Sequence, residues 1–438
     1  MPVSSEQRAA QRIDSARRYV SRRRVLSIGG LGIAGAAFAL PSLGGAQTGT
    51  LGATPVDTAT PIVDDNNMAN QAQNLPSNEP LGTLESVHEF NDAMPTGVTV
   101  SQQGRIFVNY PKWGDEVVFT VGELRNGEAV AYPDQATNDT DPNDPAAALV
   151  SVQSVVVDPL DRLWILDTGS PLFQPTEEGG PKLLCVDLTN DTVIQTIIFP
   201  QDVALPTTYL NDIRFDLRRG EQGMAFITDS AQDGPNGIIV VDLATGDSWR
   251  KLNDHPSTKA EMLDTFLPIV EGRPFLEQQP DGTIVQGAGM GSDGIAISAD
   301  GARLFYCPLG SRTLYSVTTD ALADKALADD AVAATIIDEG NKGGGSDGLE
   351  SDAAGHIYTT NYEHNAVLRR RPEGIWETVV HDPRLLWPDT MSVATDGYLY
   401  VTANQLHWQA RYHGGEDLRQ KPYSLFRVQI DAEPVLLR

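Results

Sequence analysis

The feature that most limits how this chain can fold is a phrase it repeats. GSDGIAISADGARLFY runs from Gly291 to Tyr306, and GSDGLESDAAGHIY runs from Gly345 to Tyr358. A looser copy, PDTMSVATDGYLYV, spans Pro388 to Val401. In all three an Asp is followed eight positions later by a turn Gly: Asp293 and Gly301, Asp347 and Gly355, Asp389 and Gly397. Each copy reads as a small-residue entry, an apolar strand, a tight turn and a second strand. The same template fits PTGVTVSQQGRIFV from Pro95, VQSVVVDPLDRLWILD from Val152 and LNDIRFDLRRGEQGMAFITD from Leu210, which makes six.

A hairpin of this kind cannot bury both faces alone, and repeats at such intervals stack radially. The expected fold is all-β, a six-bladed β-propeller over residues 83–438. Leu84–Phe90 is placed to pair beside the last strand, Tyr423–Ile430, closing the ring between the chain ends and removing two exposed edges. Ser257–Val270 has apolar residues at helical spacing (Met262, Phe266, Ile269), and Ala321–Ala334 is rich in helix formers. Both are expected as short decorating helices. Cys185 and Cys307 sit in apolar strand contexts and read as buried free thiols.

Ahead of the repeats, residues 1–46 contain Ser21, Arg22 and Arg23, then Val25, Leu26 and a Gly/Ala-rich apolar run ending at Gly44-Gly45-Ala46. This resembles a twin-arginine signal peptide, which implies export to the periplasm or beyond from a bacterial or archaeal cell and no membrane attachment after cleavage. Residues 47–82 lack periodicity and read as a disordered linker. The net charge of -27 argues against nucleic acid and favours cationic partners.

In a propeller blade the innermost strand follows the axis and the next returns antiparallel, so the start of the first and the end of the second share one face. The starts supply Thr96, Gln153, Asp212, Asp293, Asp347 and Asp389, with Asn211 alongside; the ends supply Asn109, Asp167, Asp229, Asn361 and Asn404. These are the candidate ligand-binding residues of one channel mouth. Two like charges about 10 Å apart repel by about 1.7 kcal/mol at an effective dielectric of 20. Such a ring calls for a divalent cation such as calcium, an organic cation, or protonation. The alternative is that each Asp only caps a turn. Asp293 and Asp347 are the candidate catalytic pair, and also the metal ligands if a divalent ion binds. His407 reads first as a solvated loop side chain. Trp113, Trp387 and Trp408 either wall a pocket or pack between blades. The string Gly344-Gly345-Ser346-Asp347-Gly348 fits a nucleophile elbow but belongs to the repeat, and the strand-turn-helix context that motif needs is missing.

The succession FVNYPKWGDE, RLWILDTG, PKLLCVDL, YLNDIRFD, AFITDS, SWRKL, GSDGIAIS, SDGLESD, NAVLRR, WPDTMSVATDGYLYVTANQLH and PYSLFRV resembles the major royal jelly protein and yellow family over roughly residues 84–430. The resemblance implies a secreted six-bladed propeller that takes a small molecule, cationic or aromatic, in its channel. It also raises an isomerase or tautomerase activity of the dopachrome type on an aromatic or quinone-like compound. A more distant resemblance to the regucalcin and gluconolactonase propellers implies a metal-dependent lactonase with a Glu at the first blade entry; here that entry is Thr96. A propeller serving only as a protein-binding surface is the third expectation.

Overall fold

The computed structural model describes residues 76–438 apart from Asn78, Pro142, Gln279 and Pro280. The expected export signal and most of the expected linker therefore lie outside the described residues. Six four-stranded antiparallel sheets form six blades, and the fold is the six-bladed β-propeller that the repeats imply. Blade 1 runs Val98–Val100, Ile106–Asn109, Val121–Arg125 and Glu128–Ala131; blades 2 to 5 begin at Val152, Leu210, Ser292 and Leu349. Blade 6 takes three strands from Pro388–Val393, Tyr398–Ala403 and Tyr423–Gln429 and its fourth from Glu85–Phe90. The chain ends thus close the ring as expected, with Glu85 opposite Arg427 and Phe90 opposite Tyr423. Order against the propeller starts before this strand: Leu81 N donates to Thr378 O (3.0 Å) and Gly82 N to Val379 O (2.8 Å), along the outer strand of blade 5.

Each repeat forms for a local reason. The residue eight positions after the template's start has positive φ in every copy: Gly104 (82°), Asp161 (58°), Gly220 (63°), Gly301 (71°), Gly355 (87°) and Gly397 (81°). Only Gly, or Asp in blade 2, takes that turn conformation at low cost. Between neighbouring blades the apolar faces meet in separate cores. Trp164, Leu183 and Cys185 of blade 2 pack on Ile213, Phe215 and Ile227 of blade 3, and Phe305 and Cys307 of blade 4 pack on Leu349, Ile357 and Trp376 of blade 5. Both cysteines are free and buried, in different interfaces.

The template's entry is not a regular strand. The pairing register shifts between Val152 and Ser154, Leu210 and Ile213, Ser292 and Ile295, and Pro388 and Met391. Bulges of this kind re-aim side chains, and they bracket Gln153, Asp212, Asp293 and Asp389. The glycine after the Asp answers to a different need. A Cβ on Gly294 would stand 2.4 Å from Asp347 O, and one on Gly348 would stand 2.3 Å from Asp389 O. These glycines let neighbouring inner strands touch.

The insertions differ from expectation. Thr319–Ala323 and Asp329–Ala333 are short helices, but the Ser257–Val270 stretch holds only the 3-10 turn Pro256–Thr258, one helical turn at Met262–Phe266 and the strand Ile269–Val270. Of its three apolar positions only Phe266 is buried, while Met262 is 72% exposed and Ile269 42%. The spacing therefore marked no continuous buried face. Two small hairpins follow, Ile269–Val270 with Arg273–Pro274 and Leu276–Gln278 with Ile284–Gln286.

Replacing Gly294 with Ala forces the new methyl into the Asp347 carbonyl. Chemical denaturation should show a loss of about 1–3 kcal/mol for Gly294→Ala, and little change for Gly282→Ala beyond its backbone cost, since nothing lies within 4 Å of that position.

Candidate functional site

Four carboxylates, from Asp212, Asp293, Asp347 and Asp389, line one cavity on the propeller axis together with Gln153 and Asn211. The cavity measures only about 10 Å³, room for about one water molecule. The template's first position thus supplies the site in five of six blades. Thr96 does not line the cavity; its hydroxyl accepts from Asn109 Nδ2 at 2.9 Å.

The four acids are held in different ways. Asp212 accepts Ser154 Oγ at 2.7 Å and faces the Arg214 guanidinium at 3.1 Å. Arg214 is itself buried, donates to Leu349 O at 2.7 Å and lies 3.4 Å from Glu350. Burial opposes its charge, but Asp212 and Glu350 hold it charged. Asp389 accepts Asn404 Nδ2 at 2.6 Å and its own neighbour Thr390 Oγ1 at 3.2 Å. Burial first, and the nearby Asp347 second, push its carboxyl well above the usual range. Asp347 accepts the indole N–H of Trp387 at 2.7 Å. Burial raises it to about 6, against the lowering effect of the Trp387 and Asp293 hydrogen bonds. Asp293 shares a hydrogen bond with Asp347 and is raised well above an ordinary Asp, by burial and then by Asp347. Two buried carboxyls joined in this way hold a proton between them.

Above the acids sits an aromatic roof. Trp387 adopts φ 57°, a backbone region that costs a bulky residue about 1–3 kcal/mol. It stacks on Tyr362 at 4.3 Å and on His407 at 6.0 Å. On the other side Trp113 Nε1 donates to Tyr209 OH at 2.7 Å, and Tyr209 OH donates to Gln153 Oε1 at 3.1 Å. Of the three tryptophans left open by the sequence, Trp113 and Trp387 therefore bond the residues that line or border the site.

Several expected residues fall elsewhere. Asp229 is buried against Arg250 at 2.8 Å and accepts Tyr209 N (3.0 Å) and Ala231 N (3.1 Å). Asp167 is likewise tied to Lys182 at 2.8 Å and to Val150 N at 2.6 Å. Both are strand-end caps with their own cation, away from the cavity lining. Asn361 contacts Gly343 O at 3.4 Å and does not reach the cavity. Asn404 touches the site only through Asp389. His407 is not the solvated loop side chain its position suggested; it is 4% exposed. Arg214 went unnoticed in the sequence, although an Arg two residues after Asp212 on an apolar strand points to the same side. As for a divalent ion, the donors do not fit one: among the described residues no group of three His, Cys, Asp or Glu side chains is arranged to hold a metal.

The family model for major royal jelly proteins matches residues 150–431, well over half of the chain. The chain belongs to the major royal jelly protein family. Protein yellow of Drosophila melanogaster is 26% identical over 253 residues, covering 55% of this chain and 43% of that protein. Major royal jelly protein 7 of Apis mellifera is 29% identical over 178 residues, covering 40% and 36%. The matched segment thus spans less than half the length of these relatives. Among solved structures, a luciferin-regenerating enzyme aligns with TM-score 0.51 and 11% identity over 82% of this chain and 99% of its own; that likeness is one of fold.

Because the folded protein keeps the Asp347 proton up to about pH 6 and an unfolded Asp releases it near 3.9, the folded state loses stability as pH rises through that window. Urea denaturation between about pH 4 and 7 should show this decline, and Asp347→Asn should flatten it by roughly 1–3 kcal/mol.

Proposed function

We propose that this protein is an exported small-molecule-binding propeller whose axial acids receive the ammonium or hydroxyl group of an aromatic or quinone-like compound and catalyse its isomerisation by proton transfer. The observation that carries this reading is the buried Asp293–Asp347 pair in a cavity lined by four carboxylates, of which Asp212 is paired with the Arg214 guanidinium. A cation placed among carboxyls that burial has raised lets them ionise, so the desolvated site favours a cationic or proton-exchanging guest. A carboxyl raised to about 6 is also suited to give and take protons near neutral pH. In the reaction one carboxylate of the pair accepts a proton from the substrate, and the protonated partner returns one at a second position. No electron or net proton is consumed.

The cavity admits one water-sized group while the roof is closed. A ring therefore reaches the acids only if Trp387 and its neighbours move; otherwise just the ammonium or hydroxyl enters. Membership of the family supports a channel ligand, and the Ser21-Arg22-Arg23 segment supports export by the twin-arginine route to the periplasm or beyond.

Calorimetric titration with tyramine should give one site per chain, with affinity falling at least tenfold in Asp293→Asn and in Asp347→Asn. Tautomerisation of dopachrome, followed by absorbance, should show a pH profile with an inflection near 6, the value to which Asp347 is raised, and this inflection should be absent in Asp347→Asn. Unchanged binding and turnover in the double variant would remove the axial site from the function.

A further inference from the structure

A second concavity lies beside the aromatic roof. It is a cleft of about 580 Å³ between the two hairpins of residues 269–286 and the segment after blade 6's second strand. Its size falls within the roughly 300–1,000 Å³ of small-molecule pockets. Phe275, Trp408 and Tyr412 contribute rings to its wall, and His407 stands among them. These rings are continuous: Phe275 lies 4.5 Å from Tyr412 and 4.9 Å from Trp387, and His407 lies 5.1 Å from Trp408.

His407 is what makes this more than an apolar hollow. Its side chain is 4% exposed, and neither Nδ1 nor Nε2 has a hydrogen-bond partner. Buried polar atoms in folded proteins are nearly always paired. Burial lowers this imidazole to about 3, so at neutral pH it presents one N–H donor and one acceptor lone pair. A hydroxyl group can serve either nitrogen. The same desolvation that keeps the imidazole neutral opposes a charged group beside it. Of the charged residues in the lining, Glu271 accepts from Asn365 at 2.5 Å and Arg273 is exposed to solvent. The chemistry of this cleft therefore differs from that of the axial acids, which favour positive charge.

We propose that the cleft is a separate binding site for an uncharged planar aromatic compound bearing a hydroxyl group, its ring against Phe275, Trp408 and Tyr412 and its hydroxyl on His407. The proposal stands apart from the axial reading and survives or fails without it. Trp387 links the two sites, since one indole stacks on His407 and also donates to Asp347.

Equilibrium dialysis of the whole chain against 2-naphthol and against naphthalene tests this directly, because the two differ only in the hydroxyl. One 2-naphthol should bind per chain, at least tenfold more tightly than naphthalene. His407→Phe keeps a ring in the stack and removes both nitrogens; it should bring the two affinities together. Ile284→Trp alters a cleft side chain that is 56% exposed and outside the core, and it should block both compounds while leaving the melting temperature unchanged. Equal affinity for the two compounds in the native chain, a hydroxyl preference that persists in His407→Phe, or undiminished binding in Ile284→Trp would each overturn the proposal.

Discussion

Everything at the centre of this molecule depends on how closely six inner strands can approach one axis. Where a Gly294 side chain would begin, the carbonyl of Asp347 already sits, and Gly348 meets Asp389 in the same way. Hydroxyls stitch the neighbouring blades across this gap: Thr228 Oγ1 donates to Asp293 O at 2.6 Å, and Thr402 Oγ1 donates to Thr96 O at 2.6 Å, the latter across the closure from blade 6 to blade 1. With the backbones in contact, little room is left inside. The bulges at four of the entries then bracket Gln153, Asp212, Asp293 and Asp389, which turn towards the same small volume.

Those side chains are mostly acids, and the surrounding packing decides what each becomes. Asp167 and Asp229 are as buried as the axial acids, but Lys182 and Arg250 neutralise them and backbone amides complete their hydrogen bonds. A buried ion pair of this kind orders a strand end. On the axis, by contrast, Arg214 serves Asp212, and the remaining acids make do with neutral donors and with each other. Desolvation without a matching cation raises Asp347 to about 6 and lifts Asp293 and Asp389 well above an ordinary Asp. The two kinds of acid are equally buried and differ in whether a cation is bonded to them.

The insertion between blades 3 and 4 adds a layer that the repeats do not contain. Its Phe275 packs on Trp387 and Tyr412, joining a core with Phe266, Leu309 and Tyr362 above the axial acids. The mouth is consequently roofed by aromatic side chains, and the larger cleft opens beside the axis.

Much of this was legible in the sequence because it is written in local conformation. An Asp-to-turn spacing of eight residues recurs because each hairpin needs a left-handed residue at one place, and alternation along each strand follows the pleat. The blade count and the axial Asp212, Asp293, Asp347 and Asp389 follow from that period, the closing strand from the need to cover the ring's edges, and the free thiols from the apolar strands around Cys185 and Cys307. The roles of Asp229, Asn361, Arg214 and His407 do not. Whether an acid meets a cation, whether a histidine is wetted and whether apolar residues at helical spacing share a buried face are set by chain segments far apart in sequence. Arg250 reaches Asp229 from the blade's outer strand, and Trp387 reaches Asp347 from the next blade. Local periodicity determined which residues turn towards the axis; only tertiary packing, which chooses each one's partner and its access to water, decided which of them meet a cation and which are left among neutral donors.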